Sequence, residues 1–438
     1  MKRGYLLFPS PYVLRMNDRP WGRAVRWLAF LGPFFFLSYG AATWITAQRE
    51  AVGVVVYDWE RSIPFMPWTI VPYWSIDVLY GISLFICANA RELDMHARRL
   101  LTAQIVAVGF FILLPLHFTF VRPDSGGVAG VLFEALGKFD KPFNQAPSLH
   151  IALLVILWDR FAAHVAGWSR FVLHAWFVLI GVSVLTTWQH HFVDVPTGAL
   201  LGFCCLWLWP DRVPGPLSQL GWDSDPKRRR LAWFYGFGAV VFAGFSAWGG
   251  WALWLLWPAV ALLMVAVNYA VCGAVGFQKA EDGRVSAAAR WLLWPYHLAA
   301  WANARIWTRH DALASEVADG VMIGRLPWRV TGTILVDLCA ELPGPGGIAL
   351  PMLDLVTPSP AMLRRAAGMI EQARAAGPVQ VCCALGYGRS AAAIAVWLLR
   401  TGRATDADAA IGLIRRVRPR IAVNAQDRAA IAAAGLPG

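Results

Sequence analysis

The sequence predicts a multi-domain chain: an N-terminal all-α polytopic membrane bundle of about eight spans, then a smaller C-terminal cytoplasmic α/β domain. Three observations carry this. Of 438 residues, 58% are hydrophobic and only 15% charged, where a soluble domain carries about 25% charge. Charge-free runs recur as far as residue 277. Beyond them charges return, and short apolar strands alternate with helices. Such a composition excludes disorder, collagen and a disulfide-stapled scaffold, and argues against a soluble enzyme throughout.

A bilayer-crossing helix needs about 20 apolar residues. The runs that approach this are 27–47, 78–90 (extending back past Asp77 to Trp68), 100–121, 149–158 (continuing toward Val165), 171–188, 195–210, 231–250 and 251–277. Residues 1–60 form a basic segment and the first span. No small-residue cleavage site follows that apolar run, so it reads as a retained anchor. The last two runs form an additional hairpin, 231–277, turning at Gly249-Gly250. Lys and Arg concentrate in 1–26, 91–99, 159–170 and 211–230 and thin out in the intervening loops. Basic loops stay inside, so both termini are expected in the cytoplasm. The net charge of +12 then faces anionic lipid. No basic stripe is interleaved with aromatics, so nucleic acid is not an expected partner. Asp77, inside the second run, is either part of a relay or hydrogen-bonded between helices, and it is assigned no role.

Residues 278–316 read as an interfacial linker. Within it, 290–307 carries Trp and Arg and lies either along the membrane surface or against the next domain. From residue 317 the pattern is α/β. Strands are expected at 333–339 and Val379–Cys383, and helices at 361–376, 389–400, 407–417 and 425–434. The seven cysteines show neither a disulfide framework nor zinc spacing. No metal or cofactor is expected.

Two constellations carry chemistry. Pro147-Ser148-Leu149-His150 and His190-His191-Phe192-Val193-Asp194 both stand at the outer ends of expected spans. A His can attack phosphorus, a carboxylate can fix its tautomer, and a second His can protonate a leaving alcohol. Arg122, followed by Pro123, can grip phosphate oxygens with two N–H groups. These residues resemble the type 2 phosphatidic acid phosphatase superfamily. The Pro-Ser-Leu-His form with His-His-Phe-Val-Asp is closer to its inositol phosphorylceramide and sphingomyelin synthase branch. The resemblance covers about residues 60–210. It implies His190 as nucleophile, Asp194 as its partner and His150 as general acid, with Arg122 and Ser148 at the phosphate. Two cations of the family pattern are missing: Pro115 stands where it has Lys, and Ser183-Val184 lacks its Arg. His117, Lys138 and Lys141 are the available substitutes.

The second constellation is Cys383-Ala384-Leu385-Gly386-Tyr387-Gly388-Arg389-Ser390, between an apolar strand and an apolar helix. Its two glycines permit a tight loop. Successive N–H groups, with a helix N-terminus behind them, cradle an anion. The same field favours the Cys383 thiolate, which attacks phosphorus. Arg389 grips the phosphate, and Ser390 can hydrogen-bond the sulfur. This Cys-x5-Arg-Ser element resembles the protein tyrosine and dual-specificity phosphatases, over about residues 317–438. Val336-Asp337-Leu338-Cys339-Ala340-Glu341 is similar to the family's early strand. Leu353-Asp354-Leu355 stands where the family carries its acid, which implies that Asp354 protonates the leaving alkoxide and then activates water. Cys382 replaces the family's His. It is either a resolving thiol or a small buried strand residue. Cys87, Cys204, Cys205 and Cys272 read as core packing.

The chain as a whole resembles bacterial inner-membrane fusions of these two families. That implies a membrane-bound phosphoric monoester hydrolase acting on phospholipid through Cys383, with a second lipid phosphatase or phosphotransferase site on the outer face. The alternatives are a membrane-anchored protein phosphatase, an inactive phosphate- or lipid-sensing protein, and a lipid transporter.

Overall fold

The structure is a computed structural model describing residues 19–139, 142–222, 225–329 and 332–436. Most of the basic N-terminal segment, and Lys141, lie outside the described residues. The chain divides into two compact units, Met1–Asp211 and Arg212–Gly438.

The first unit is helical: α1 (Trp21–Ala47), α2 (Ile70–Phe85), α3 (Ala90–Leu113), α4 (Gly127–Phe139), α5 (Leu149–His164), α6 (Trp168–Thr186) and α7 (Asp194–Leu208). A helix occupies each interval where a span is expected. The second run ends earlier, because Asn89 caps a new helix by accepting from the Glu92 N–H at 2.9 Å. α4 falls in an expected outer loop. Among the described residues, four stretches are long and apolar enough to cross a membrane: Trp21–Ala47, Ala90–Leu113, Trp168–Thr186 and Gly250–Phe277. Many of the unit's large apolar residues face outward, such as Phe36, Leu37, Trp44, Val78 and Phe171. That is the exposure expected where lipid is the solvent.

Two contacts position this bundle. α7 carries Gly198 and Gly202 four residues apart, the small-residue spacing that lets helix backbones meet. A Cβ at Gly198 would lie 2.5 Å from the Ser148 carbonyl oxygen, and one at Gly202 2.8 Å from that of Ala152. The starts of α5 and α7 are thereby brought together. Toward the other end of α5, Arg160 pairs with Glu92 and with Asp211 at 2.5 Å, and Arg99 with Asp211 at 2.7 Å. Both guanidiniums are almost fully buried, and such charges persist only when paired.

The second unit begins with α8 (Pro226–Ser246) and α9 (Leu256–Val267), continues through α10 (Ala287–Leu292) and α11 (Trp294–Trp307), and ends in a sheet with four more helices. The strands are β1 (Ala314–Ala318), β2 (Val321–Arg325), β3 (Ile334–Cys339), β4 (Ile348–Met352) and β5 (Val379–Cys383). Their order is β1-β2-β5-β3-β4, with β1 antiparallel and the rest parallel. Every residue of the central strand β5 is buried, as the interior of a covered parallel sheet requires. α12 (Pro360–Ala376), α13 (Arg389–Arg400), α14 (Ala407–Val417) and α15 (Ala425–Gly435) complete the core. The first ten residues of α13 are all buried, so it reads as the central helix. The segment after the hairpin is bolted to the sheet. Lys279 Nζ lies 2.5 Å from Asp337 Oδ2 and donates to the Cys339 carbonyl at 2.6 Å. Ala349 N–H donates to the Glu281 carbonyl at 2.9 Å.

Candidate active sites

Parallel α/β sheets present ligands at the carboxyl ends of their strands. Cys383 is the last residue of β5, and Arg389 the first of α13. The loop between them closes tightly because Gly386 sits at φ +75° against the neighbouring strand; a Cβ there would be 2.3 Å from the Gly324 carbonyl oxygen. The Gly386 N–H points at the Cys383 sulfur, 3.3 Å away. A second layer braces the loop. Arg418 donates to the Leu385 carbonyl at 3.0 Å and to the Ala312 carbonyl at 2.7 Å. Ala422 N–H donates to the Tyr387 carbonyl at 3.1 Å. The Tyr387 hydroxyl donates to the Asp311 carboxylate.

Arg389 is 4% exposed. Its Nη1 donates to Glu341 Oε2 at 2.7 Å and to the Met352 carbonyl at 2.6 Å, and its Nη2 to Asp354 Oδ1 at 2.8 Å. Burial pulls its pKa down, but the Asp354 and Glu341 carboxylates hold it well above the ordinary value. Glu341 also accepts the Asp354 backbone N–H. Thus one buried carboxylate aligns both the guanidinium and the acid residue. The sequence offered Glu341 only as the tail of an early strand. Nothing in its spacing marks the role, which arises because β3 and β4 end side by side.

Cys383, Arg389 and Asp354 are therefore gathered around one loop, with Ala384 to Gly388 forming its rim. The Ser390 hydroxyl, expected on the sulfur, is fully buried with no partner among the described residues. Cys382 points away from the loop, into a cluster with Leu326, Leu335, Cys339 and Leu342. Burial pushes its thiol well above the usual range. That placement matches the small buried strand residue of the two readings.

In the first unit, His190 and Asp194 are joined: His190 Nδ1 lies 3.0 Å from Asp194 Oδ2. Its other nitrogen lies 3.3 Å from the Ser148 hydroxyl, which also caps α5 by accepting the Ile151 N–H at 3.2 Å. His150 stacks on Tyr73 with ring centroids 4.1 Å apart. His150 and His190 line the same cavity of about 440 Å³, whose walls are mostly apolar, including Leu28, Phe35, Tyr39 and Leu153. Arg122 sits with its guanidinium 5.2 Å over the Phe133 ring. Lys138 is exposed and paired with Glu134 at 2.9 Å, and His117 packs beside Phe143.

Sequence reasoning missed a second histidine–carboxylate pair. His191 Nδ1 lies 3.0 Å from Glu60 Oε2, and its Nε2 accepts the Thr119 backbone N–H at 3.2 Å. The accepted N–H fixes the proton on Nδ1, facing the carboxylate. Glu60 also accepts the N–H groups of Phe192 at 2.9 Å and Tyr57 at 2.8 Å. The loop carrying His190 is therefore anchored from both sides.

No family model matches the chain. It is 27% identical over 146 residues to the uncharacterized protein MJ0662 of Methanocaldococcus jannaschii, a match covering 32% of this chain. The chain spans about 60% of the length of that relative. Among solved structures it is similar to PTPMT1 in complex with PI(5)P, with 18% identity over 28% of this chain and 95% of that one, at a TM-score of 0.24. It is also similar to Tk-PTP in its active form (22% identity, 28% and 95% covered, TM-score 0.25). A third is human DUSP28 (20% identity, 28% and 91% covered, TM-score 0.22). Phosphatases of the tyrosine and dual-specificity type are thus neighbours over a small part of the chain.

Proposed function

We propose that the chain is a membrane-bound phosphomonoesterase whose Cys383 attacks phosphorus to give a cysteinyl-phosphate. The observation that carries this is the arrangement of Cys383, Arg389 and Asp354 around one strand-to-helix loop. Arg389 turns from Asp354 to the phosphate oxygens. The freed carboxyl group, protonated, gives its proton to the departing alkoxide. Water, deprotonated by the same carboxylate, then cleaves the sulfur–phosphorus bond and restores the thiolate.

Phospholipid is the substrate class we favour. The unit that holds Cys383 also contains an apolar 28-residue stretch able to cross a membrane, and tethering beside a bilayer raises the local concentration of lipid head groups. The apolar runs support eight spans, the Lys and Arg distribution supports cytoplasmic termini with Cys383 on the reducing side, and the resemblance to bacterial inner-membrane fusions supports an inner-membrane setting. A second, His-based phosphatase or phosphotransferase activity is favoured by the His190–Asp194 contact beside an apolar cavity.

Phosphate release from phospholipid and phosphopeptide panels by the purified full chain tests both sites. Cys383→Ser is expected to abolish release from phospholipid monoesters while His190→Ala leaves it intact. Release that survives in Cys383→Ser would sink the cysteine mechanism.

A further inference from the structure

We infer that Tyr269, in the apolar hairpin, is a positioning residue for the Asp354 loop, so that acid catalysis at Cys383 depends on the membrane-facing part of the same unit. This rests on the phosphatase reading above. α9 ends at Val267, and one π-helical turn, Asn268–Cys272, follows it. Such turns shift side chains out of the α-helical register and recur at functional sites. Here the turn carries Tyr269, whose side chain is buried. Its ring stacks on Tyr235 at 5.6 Å and meets Phe277 edge-on at 6.4 Å. Its carbonyl accepts from Arg228 Nε at 3.1 Å. A phenol buried among rings needs a polar partner for its hydroxyl. It finds one in the Asp354 carbonyl, 3.3 Å away.

Asp354 is thereby gripped at three points. Its N–H donates to Glu341, its carbonyl accepts from Tyr269, and its carboxylate accepts from Arg389 at 2.8 Å. The next residue, Leu355, is at φ +58°, a conformation a leucine holds only when its surroundings impose it. A phosphate on Arg389 takes over the third grip. The first grip runs through Glu341, which Arg389 also engages. Tyr269 supplies the one grip of the three that is independent of the phosphate-binding guanidinium, and so it keeps the acid aimed while Arg389 is occupied.

The test uses the full chain in detergent with two substrates. An alkyl phosphate has a poor leaving group and needs the acid, whereas p-nitrophenyl phosphate has a good one and scarcely does. Tyr269→Phe, which removes only the hydroxyl, is expected to lower kcat/KM, which reads only the steps through cysteinyl-phosphate formation, about five- to tenfold on the alkyl phosphate and less than about twofold on p-nitrophenyl phosphate. Asp354→Asn is expected to lose more on the alkyl substrate, and adding Tyr269→Phe to it is expected to change nothing further. Equal losses on both substrates, no loss on either, or additive losses in the double variant would overturn the proposal while leaving the cysteine chemistry standing. Absence of any Cys383-dependent release by the unsubstituted protein would overturn the phosphatase reading and this proposal with it.

Discussion

The two candidate sites, as proposed, would answer the same need, holding a phosphate against a nucleophile, with different materials. Around Cys383 the cradle is main chain: one loop between a buried strand and the buried helix α13, closed by Gly386 and braced by Arg418. Around His190 the parts are side chains from separate segments: Ser148 capping α5 and Asp194 opening α7, with Glu60 before α2 and the Thr119 hydroxyl after α3 holding the neighbouring His191. The first site is set by local backbone geometry. The second exists only because α5 and α7 approach closely at Gly198 and Gly202.

The largest effect that would sharpen this contrast is at Arg389. Arg389→Lys keeps the charge but loses the planar fork that reaches Glu341, Met352 and Asp354 together. Steady-state kinetics should show kcat/KM on phosphomonoesters falling about a hundredfold or more, with any His190-dependent turnover unchanged. A drop below tenfold would mean that the loop N–H groups alone suffice.

Glu60→Ala comes next. It strips three acceptor contacts from a nearly fully buried carboxylate, those to His191, Phe192 and Tyr57. Thermal unfolding should register a loss of about 3 kcal/mol, and His190-dependent turnover should fall, while Cys383-dependent release stays within about twofold. Were His190-dependent turnover unaffected, Asp194 alone would set the histidine.

The smallest effect serves as a control that touches neither site. Glu371 on α12 bonds Arg374 at 2.6 Å and accepts from the buried Trp397 indole N–H at 2.8 Å. These bonds, Arg374 first, hold its carboxyl down at about 2 against an ordinary 4.5. A carboxyl whose pKa is depressed by folding stabilises the fold above its unfolded pKa, and that support is lost as pH falls through the folded value. Glu371→Gln should therefore cost about 0.5 kcal/mol near neutral pH, discounted for solvent exposure, and the gap to the unsubstituted protein should close toward pH 2 in thermal melts. A gap that persists there would mean packing, not charge, is responsible.

Much of the C-terminal unit was legible in advance. The helices expected at 361–376, 389–400, 407–417 and 425–434 form within a residue or so of those bounds, because three carry their own N-cap and α13 is announced by the loop that precedes it. Ser359 and Asp406 cap α12 and α14 by accepting backbone N–H groups. Strands β1, β2 and β4 were not read. They are no shorter than β5, which the adjoining Cys383-to-Arg389 loop marks; without such a marker a five-residue run looks the same in a loop until its neighbours pair with it.

What the sequence determined by itself is whatever a contiguous stretch can encode. That includes the apolar runs, the Cys383-to-Arg389 loop with its two glycines, and the four-residue spacing that lets His190 and Asp194 meet at the start of one helix. What only the tertiary structure decided is which distant groups complete each site: Glu341 between Arg389 and Asp354, Glu60 and Thr119 on His191, Tyr269 on the Asp354 carbonyl, and the cavity shared by His150 and His190. The physical reason is range. Caps, turns and helix faces act over one to four residues, whereas a buried carboxylate or phenol takes whichever partner the packed chain places within about 3 Å.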